Sequence, residues 1–276
     1  MPRLIRRVLA DGALGGRGVS VDSGIDVIGD LAVLRLAGVA ASSKREVAEA
    51  LLRSLPNVKG VFEQEGGIEG EYRLRRLVHL AGREGLLTTH RENGCVFKVD
   101  LSTCYFSPRL STERLRIAEQ VSPDESVLNM FAGVGPFSIP ISRKKRAKVV
   151  SCELNEAACG FHEENDRLNK VTGLIRVLNE DAADLPKILD AKFDRILMPH
   201  PTKANDFLPA ALELAKEGAR IHYYRQVPGR NAEEGEEWLR GELDELLPDG
   251  AEYGVRRVRE VGPRWLEMAA DIALEG

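Results

Sequence analysis

No apolar run in the 276 residues approaches the ~20 that a membrane helix needs, so no membrane partner is expected. The N-terminal stretch MPRLIRRVLADGALGG is basic and partly apolar, but it lacks a long apolar core and an obvious small-residue cleavage site. A secretory signal is therefore not expected, and a cytoplasmic location is. Cysteine is scarce: Cys95, Cys104, Cys152 and Cys159 contain no C-x-x-C pair. Neither a zinc site nor a disulfide framework is indicated, and no metal is expected. A basic excess is missing as well, the net charge being −4. Residues 1–120 hold 18 Lys+Arg against 15 Asp+Glu, the remainder 21 against 28. Any grip on nucleic acid must be local and weighted towards the N-terminal part. No repeat, low-complexity tract or Pro/Gly-rich linker divides the chain.

What is present is 43% hydrophobic and 30% charged, a globular composition long enough for two domains. Residues 19–36, VSVDSGIDVIGDLAVLRL, alternate partially around Gly29-Asp30, which predicts short strands and a turn. Ser42-Ser43 can cap a helix over 44–54, where Val47, Leu51 and Leu52 recur at helical spacing. A strand is expected over 58–65, a turn at Gly66-Gly67 and a second strand over 68–78. That strand would point Arg73 and Arg75 to one face and Arg76 to the other; an exposed strand with solvated charges explains the same arginines. Segments 86–90 and 95–100 predict a hairpin around Asn93-Gly94, a strong turn dipeptide. Ser107-Pro108 then breaks regular structure, and Ser111 is placed to cap a helix to about residue 120. Glu113 falls in its first turn, where the helix dipole alone accounts for a carboxylate.

From Ser126 the pattern changes. VLNMF, VVSCE, residues 175–177, 193–198 and ARIHYY are short apolar runs, mostly separated by helical stretches. That alternation predicts a parallel doubly wound sheet, with ligands bound beyond the carboxyl ends of its strands. A charged helix over 231–247 and two strands joined by Gly262-Pro263 follow. A parallel sheet ending in a hairpin differs from the dinucleotide-binding order and suits a class I, Rossmann-like methyltransferase. The expected fold class is α/β, a small α+β domain over 1–105 preceding that domain over 106–276.

The stretch VLNMFAGVGPFSIP falls short of G-x-G-x-x-G. Gly133 and Gly135 let the backbone pass close to a ligand. Pro136 removes an N–H donor that a pyrophosphate would use, which favours a phosphate-free nucleoside cofactor such as S-adenosylmethionine (SAM). Glu153 ends the next strand, where a carboxylate can accept from both ribose hydroxyls, as it also does in NAD enzymes. Asp181 could accept from an adenine amino group. The fourth strand runs into Pro199-His200-Pro201-Thr202-Lys203. It keeps prolines where many amino-group methyltransferases carry Asn/Asp-Pro-Pro-Tyr/Phe, and no catalytic role is assigned to the lone His200.

YFSPRLSTER followed by NMFAGVGPFSIP resembles the tRNA (guanine-37-N1) methyltransferase family of archaea and eukaryotes. The likeness extends through IDVIGDLAVLRL, GEYRLR, HRENGCVFKVD, DRILMPHPTKANDFL and GARIHYY. The resemblance implies methyl transfer from SAM to N1 of guanine 37, next to the anticodon. It implies Glu113 as general base and Arg73, from the GE-aromatic-R motif, as the group that holds guanine O6 and its developing charge. The implied cofactor set is Tyr105, Arg114, Phe131, Gly133, Gly135, Pro136, Glu153 and Leu154, with Asp181, Ala182, Pro199 and Pro201. The implied substrate set is Arg73, Arg75, Arg109 and Lys203, the partner being the anticodon arm of tRNA, its target base flipped from the stack. A monomer is expected.

The chain departs from the family's pattern at Asn129, where an Asp is usual, and at Pro199, where many members have Asn. It also begins almost directly at the family's second domain. The family's full-length archaeal form carries an additional N-terminal domain that grips the outer corner of tRNA. Recognition through the anticodon arm is therefore expected. The competing expectations are aminocarboxypropyl transfer on the same scaffold, methylation of a wyosine-type precursor at the same tRNA position, and a non-catalytic RNA-binding protein. SPRL and the proline-rich fourth-strand motif favour methyl transfer, and Arg73, Glu113, FAGVG and Glu153 together favour an enzyme.

Overall fold

The structure is a computed structural model and describes residues 24–36 and 39–276. The strand signal over 19–23 lies outside the described residues. The chain divides into two compact units, Met1–Thr112 and Glu113–Gly276.

The first unit is built on a four-stranded sheet of order β1-β2-β3-β4. Its strands are β1 (Asp26–Ile28), β2 (Leu31–Leu34), β3 (Gly60–Glu69) and β4 (Leu74–Gly82). Helix α1 (Ala41–Ser54) connects β2 to β3, which pair in parallel. It buries Val47, Ala48 and Leu51 with Ala32, Leu34 and Val61. All four residues of β2 are buried, as a continuous apolar run demands. Helix α1 starts before the serines: Ala40 occupies the cap position and makes no side-chain cap bond.

Gly66-Gly67 is not a turn. Strand β3 runs through it with a register shift between Glu65 and Ile68, and the reversal comes at Gly70–Arg73. An insertion of this kind lets one strand carry extra residues without ending the ladder. Arg73 consequently sits in the turn at φ 56°, not in a strand, while Arg75 and Arg76 belong to β4. The predicted hairpin forms as β5 (Leu87–Glu92) and β6 (Cys95–Asp100), with Asn93 and Gly94 both at positive φ. It is tied to the β1–β2 turn through Thr88, which donates to Asp30 at 2.6 Å. A Cβ on Gly29 would lie 2.2 Å from the Thr88 hydroxyl, which explains the glycine in that turn.

Helix α2 (Ser111–Gln120), entered through a 3-10 turn at Pro108–Leu110, spans the division and gives the second unit its first residues from Glu113 on. Ser111 has helical backbone angles and is the first helical residue, not its cap. A seven-stranded sheet follows, of order β12-β13-β11-β10-β7-β8-β9. Strands β7 (Ser126–Asn129), β8 (Lys148–Cys152), β9 (Ile175–Leu178), β10 (Phe193–Met198) and β11 (Ala215–Pro228) pair in parallel. The crossovers carry α3 (Ser138–Lys145), α4 (Glu156–Leu168), the short α5 (Leu185–Ile188) and α6 (Ala204–Leu214). Helix α7 (Ala232–Leu246) leads to the hairpin of β12 (Glu252–Gly262) and β13 (Trp265–Ala273). Strand β13 inserts antiparallel beside β11 and leaves β12 at the edge. This is the class I methyltransferase order expected from the terminal hairpin. Among the described residues no helix is long and apolar enough to cross a membrane.

Candidate functional site

Because β7, β8, β9 and β10 run parallel, the segments leaving their carboxyl ends gather at one edge of the second unit. The first is the glycine turn. Asn129, fully buried, donates to Ser138 Oγ at 3.0 Å and accepts from the Phe131 amide at 3.3 Å. Ser138 in turn shares a hydrogen bond of 2.7 Å with Ser151. The residue that departs from the family's usual Asp is thus part of a satisfied buried network that shapes the turn.

The two glycines do different things. Gly133, at φ 53°, has nothing within 4 Å of the place a Cβ would take and faces open space. Gly135, at φ 90°, packs on His162, where a Cβ would lie 2.5 Å from the ring. Close approach to a ligand therefore belongs to Gly133 and close packing to Gly135. The turn also uses its own donors. The Gly133 amide donates to Glu153 Oε2 at 2.7 Å, and the Gly135 amide to the Ala132 carbonyl at 3.0 Å. With Pro136 lacking an N–H, this helix start is poorly equipped for a pyrophosphate.

Glu153 follows β8. Its Oε1 accepts from the Asn155 amide at 2.9 Å, and the Leu154 amide is a further backbone donor to the carboxylate. A carboxylate offers about four lone-pair sites, which leaves acceptor capacity for a sugar hydroxyl. Burial pushes this carboxyl up despite those amides. Asn179 bridges the carbonyls of Glu153 and Leu154 at 2.9 Å each. Two thiols brace the same loops: Cys152 donates to the Glu180 carbonyl and Cys159 to that of Glu153. Asp181 caps the short turn at Ala182–Asp184 by accepting from Ala183 at 2.9 Å. Leu154 is 37% exposed, an apolar surface beside the carboxylate. After β10, His200 lies 5.0 Å from the Phe131 ring, and Phe207 4.9 Å from it on another side. Pro199 is half-buried, Pro201 is buried, and Lys203 is exposed at the head of α6. An open glycine, a carboxylate with spare acceptor capacity and an aromatic wall fit a nucleoside-type, phosphate-free cofactor.

In the first unit the predicted substrate arginines separate by role. Arg73 and Arg75 both lie over the Tyr105 ring, at 5.5 and 5.6 Å from its centroid. The side chain of Arg75 is only 7% exposed, however. It donates to Asp26 at 2.9 Å and to the Phe106 carbonyl at 3.1 Å. Arg109 donates to the same Asp26 at 2.6 Å. The structure uses Arg75, Arg109 and Asp26 to hold the segment containing Tyr105. Arg73, in its left-handed turn next to the 45% exposed Tyr72, is the arginine presented at the hairpin tip. A strained backbone at a polar tip is a recurrent mark of function. Neither Asp26 nor Tyr72 was singled out from the sequence.

Glu113 is 5% exposed and sits within an extended charge network of the second unit. Its Oε1 accepts from Arg116 at 2.9 Å, from the Tyr224 hydroxyl at 2.6 Å and from Arg256; its Oε2 accepts from Arg116 Nε at 3.0 Å. Arg116 is held from its far side by Asp271 at 2.5 and 2.9 Å. Asp271 contacts His222 Nδ1 at 2.6 Å, and His222 Nε2 contacts Arg195 at 2.7 Å. Arginine only donates, so Nε2 must accept and the proton of a neutral ring rests on Nδ1. Arg195 ends the chain on Glu125 at 2.6 and 3.0 Å. Burial alone would push the Glu113 carboxyl up. The hydrogen bonds from Arg116 and Tyr224, with the charges of Arg116 and Arg256, outweigh it and hold the carboxyl below its ordinary value. Arg114, its neighbour, is buried. None of Arg116, Tyr224, Arg256 and Asp271 was expected from the sequence.

Beneath Gly135, His162 is fully buried and its nitrogens have no hydrogen-bond partner among the described residues; Asp166 Oδ1 lies 3.5 Å away. Burial pushes the His162 imidazole down to about 3. Burial, then the nearby charge of Glu163, pushes the Asp166 carboxyl up to about 7. A raised carboxyl destabilises the fold only where the unfolded state has ionised, so this cost grows as pH rises from the ordinary value to the raised one. Asp166→Asn removes it. Its gain over wild type in urea unfolding is expected to increase from about pH 4 to about pH 8, and a pH-independent difference would contradict the assignment.

The family model described as the TRM5/TYW2 methyltransferase domain matches residues 88–237, and that of the TYW2 N-terminal domain matches residues 5–85. The tRNA (guanine(37)-N(1))-methyltransferase Trm5b of Pyrococcus abyssi is 36% identical over 253 residues, which cover 89% of this chain and 73% of that protein. The tRNA(Phe) (4-demethylwyosine(37)-C(7)) aminocarboxypropyltransferase of Pyrococcus horikoshii is 39% identical over 201 residues, covering 73% and 70%. Among solved structures, that of the complex of aTrm5 and tRNALeu superposes with a TM-score of 0.83 at 33% identity, covering 98% of this chain and 75% of that one. The family model over residues 88–237 and the identity with these relatives show that the chain belongs to the TRM5/TYW2 methyltransferase family, whose cofactor is SAM.

Proposed function

We propose that the protein methylates N1 of guanosine at position 37 of tRNA, with Glu113 as general base and Arg73 at guanine O6. The observation that carries this reading is Glu113, a buried carboxylate on the first turn of α2 that accepts from Arg116, Tyr224 and Arg256. When bound, SAM would supply an electrophilic methyl group on its sulfonium, the neutral thioether being the leaving group. The Gly133 turn and Glu153 would hold it through its nucleoside, with Phe131 beside it. As the N1–carbon bond forms, the N1 proton becomes strongly acidic, so even a carboxylate held below its ordinary range takes it. Arg73 meets the negative charge that builds at O6 when the proton leaves. The tRNA substrate is inferred from relatives whose names and structures include it. The first unit, with its hairpin tip, is proposed to contribute the RNA contacts.

A second reading is aminocarboxypropyl transfer at the same nucleotide. It is favoured by the match of residues 5–85 to the TYW2 N-terminal domain and by the 39% identical aminocarboxypropyltransferase. Parallel assays with SAM labelled in the methyl group or in the aminocarboxypropyl carbons separate the two. Methyl label in the RNA is the expected result, and aminocarboxypropyl label would overturn it. Arg73→Ala is expected to slow single-turnover transfer by about 10²-fold or more, the scale seen when one charge-stabilising donor is lost. Filter-binding affinity for tRNA should change much less. Unchanged single-turnover rates would remove Arg73 from the chemistry.

A further inference from the structure

We propose that Arg256, on the edge strand β12, is a positioning residue that governs Glu113: engaged, it withholds the carboxylate from the proton, and disengaged, it releases it. This rests on the reading of Glu113 as the general base.

The donors on Glu113 are unevenly placed. Oε1 accepts three hydrogen bonds, from Arg116, Tyr224 and Arg256, while Oε2 accepts one, from Arg116. A carboxylate oxygen has two lone pairs, so Oε1 carries one donor more than it can serve well. Two of the three are fixed. Arg116 is gripped by Asp271 on its other side, and Tyr224 is 1% exposed within the sheet. Arg256 is the surplus one. Its side chain is 32% exposed, and its Nε is buried with no partner among the described residues. The guanidinium is therefore incompletely satisfied where it stands.

The charges lead to the same residue. Glu113, Arg116, Asp271, Arg195 and Glu125, with His222 neutral, form a chain of net charge −1, and Arg256 brings it to zero. Withdrawal of Arg256 leaves the cluster negative and its carboxylate more basic, which favours uptake of the proton. Strand β12 is suited to such movement. Among the described residues no strand pairs with its outer side, and its register with β13 shifts just beyond Arg256, between Arg257 and Arg259.

The test is a carbon-detected NMR titration of the Glu113 side-chain carboxyl in wild type, Arg256→Gln and Arg256→Lys. The signal is assigned by its loss in Glu113→Gln, and folding is checked by thermal melts. An opposite charge at contact lowers a carboxyl by about 1–3 pH units. In Arg256→Gln the midpoint is expected to move up by about one unit or more, and Arg256→Lys to return it towards wild type. SAM affinity should stay the same in both variants. A Glu113 midpoint in Arg256→Gln that matches wild type overturns the proposal, as does a shift that Arg256→Lys does not reverse. Whether wild type yields N1-methylguanosine is read separately, so failure of the proposed reaction is distinguishable from failure of the clamp.

Discussion

Glu113→Gln is expected to lower the single-turnover methylation rate by about 10²–10⁴-fold, the usual contribution of a positioned general base, while SAM affinity stays near wild type. The amide keeps the shape of the side chain and an oxygen for Tyr224, but it cannot take a proton. Glu113→Ala is a different experiment. It removes the carboxylate shared by Arg116, which keeps Asp271, and by Arg256, and so unbalances a partly buried charge network and lowers stability. A rate loss in the alanine variant alone therefore mixes chemistry with folding, and the glutamine variant with a thermal melt beside it separates them. A glutamine variant with the wild-type rate would mean that the base is another group and that Glu113 only organises the cluster.

Gly135→Ala is expected to be the most damaging single change in the cofactor turn. The residue sits at φ 90°, and a Cβ there meets His162 at 2.5 Å and Ile139 at 2.7 Å. The left-handed backbone costs about 1–2 kcal/mol and the overpacking roughly 1–3 kcal/mol more. The damage should reach the ligand as well, because the same turn aims the Gly133 amide at Glu153. Gly133→Ala is the control. At φ 53° and with nothing within 4 Å of its Cβ, it should lose only about 1–2 kcal/mol of stability, yet weaken SAM binding by filling the open side. Denaturant unfolding and calorimetric titration of SAM read both. A Gly135→Ala protein with wild-type midpoint and affinity would contradict the packing role given to His162.

Much of the fold was legible because its elements are local. The parallel strands declare themselves as short apolar runs, Asn93-Gly94 as a hairpin turn, and Gly262-Pro263 as the join of the last two strands. Where local signals misled, packing decided. Gly66-Gly67 reads as a turn, but the β3–β4 ladder extends past it as a bulge. Ser42-Ser43 reads as a cap, yet helix α1 begins before it.

The candidate site divides the same way. The glycine turn and Glu153 lie 20 residues apart, joined by one crossover, and could be paired from the sequence. The partners of Glu113 could not. Tyr224 and Arg256 are 111 and 143 residues away, and Asp271 acts through Arg116 across 155 residues. In EYGVRRVREVG nothing marks Arg256 apart from its neighbouring arginines. Arg75 looked like a substrate contact because the sequence conceals that Asp26, 49 residues earlier, holds it.

The most direct test of the account is the product itself. Purified protein is incubated with SAM and an unmodified tRNA transcript bearing guanosine 37, the RNA is digested to nucleosides, and the modified nucleoside is identified by mass and chromatography against standards. N1-methylguanosine, absent when guanosine 37 is replaced by another base, is the expected result. An aminocarboxypropyl nucleoside, or an unmodified RNA from protein that binds SAM, would contradict it.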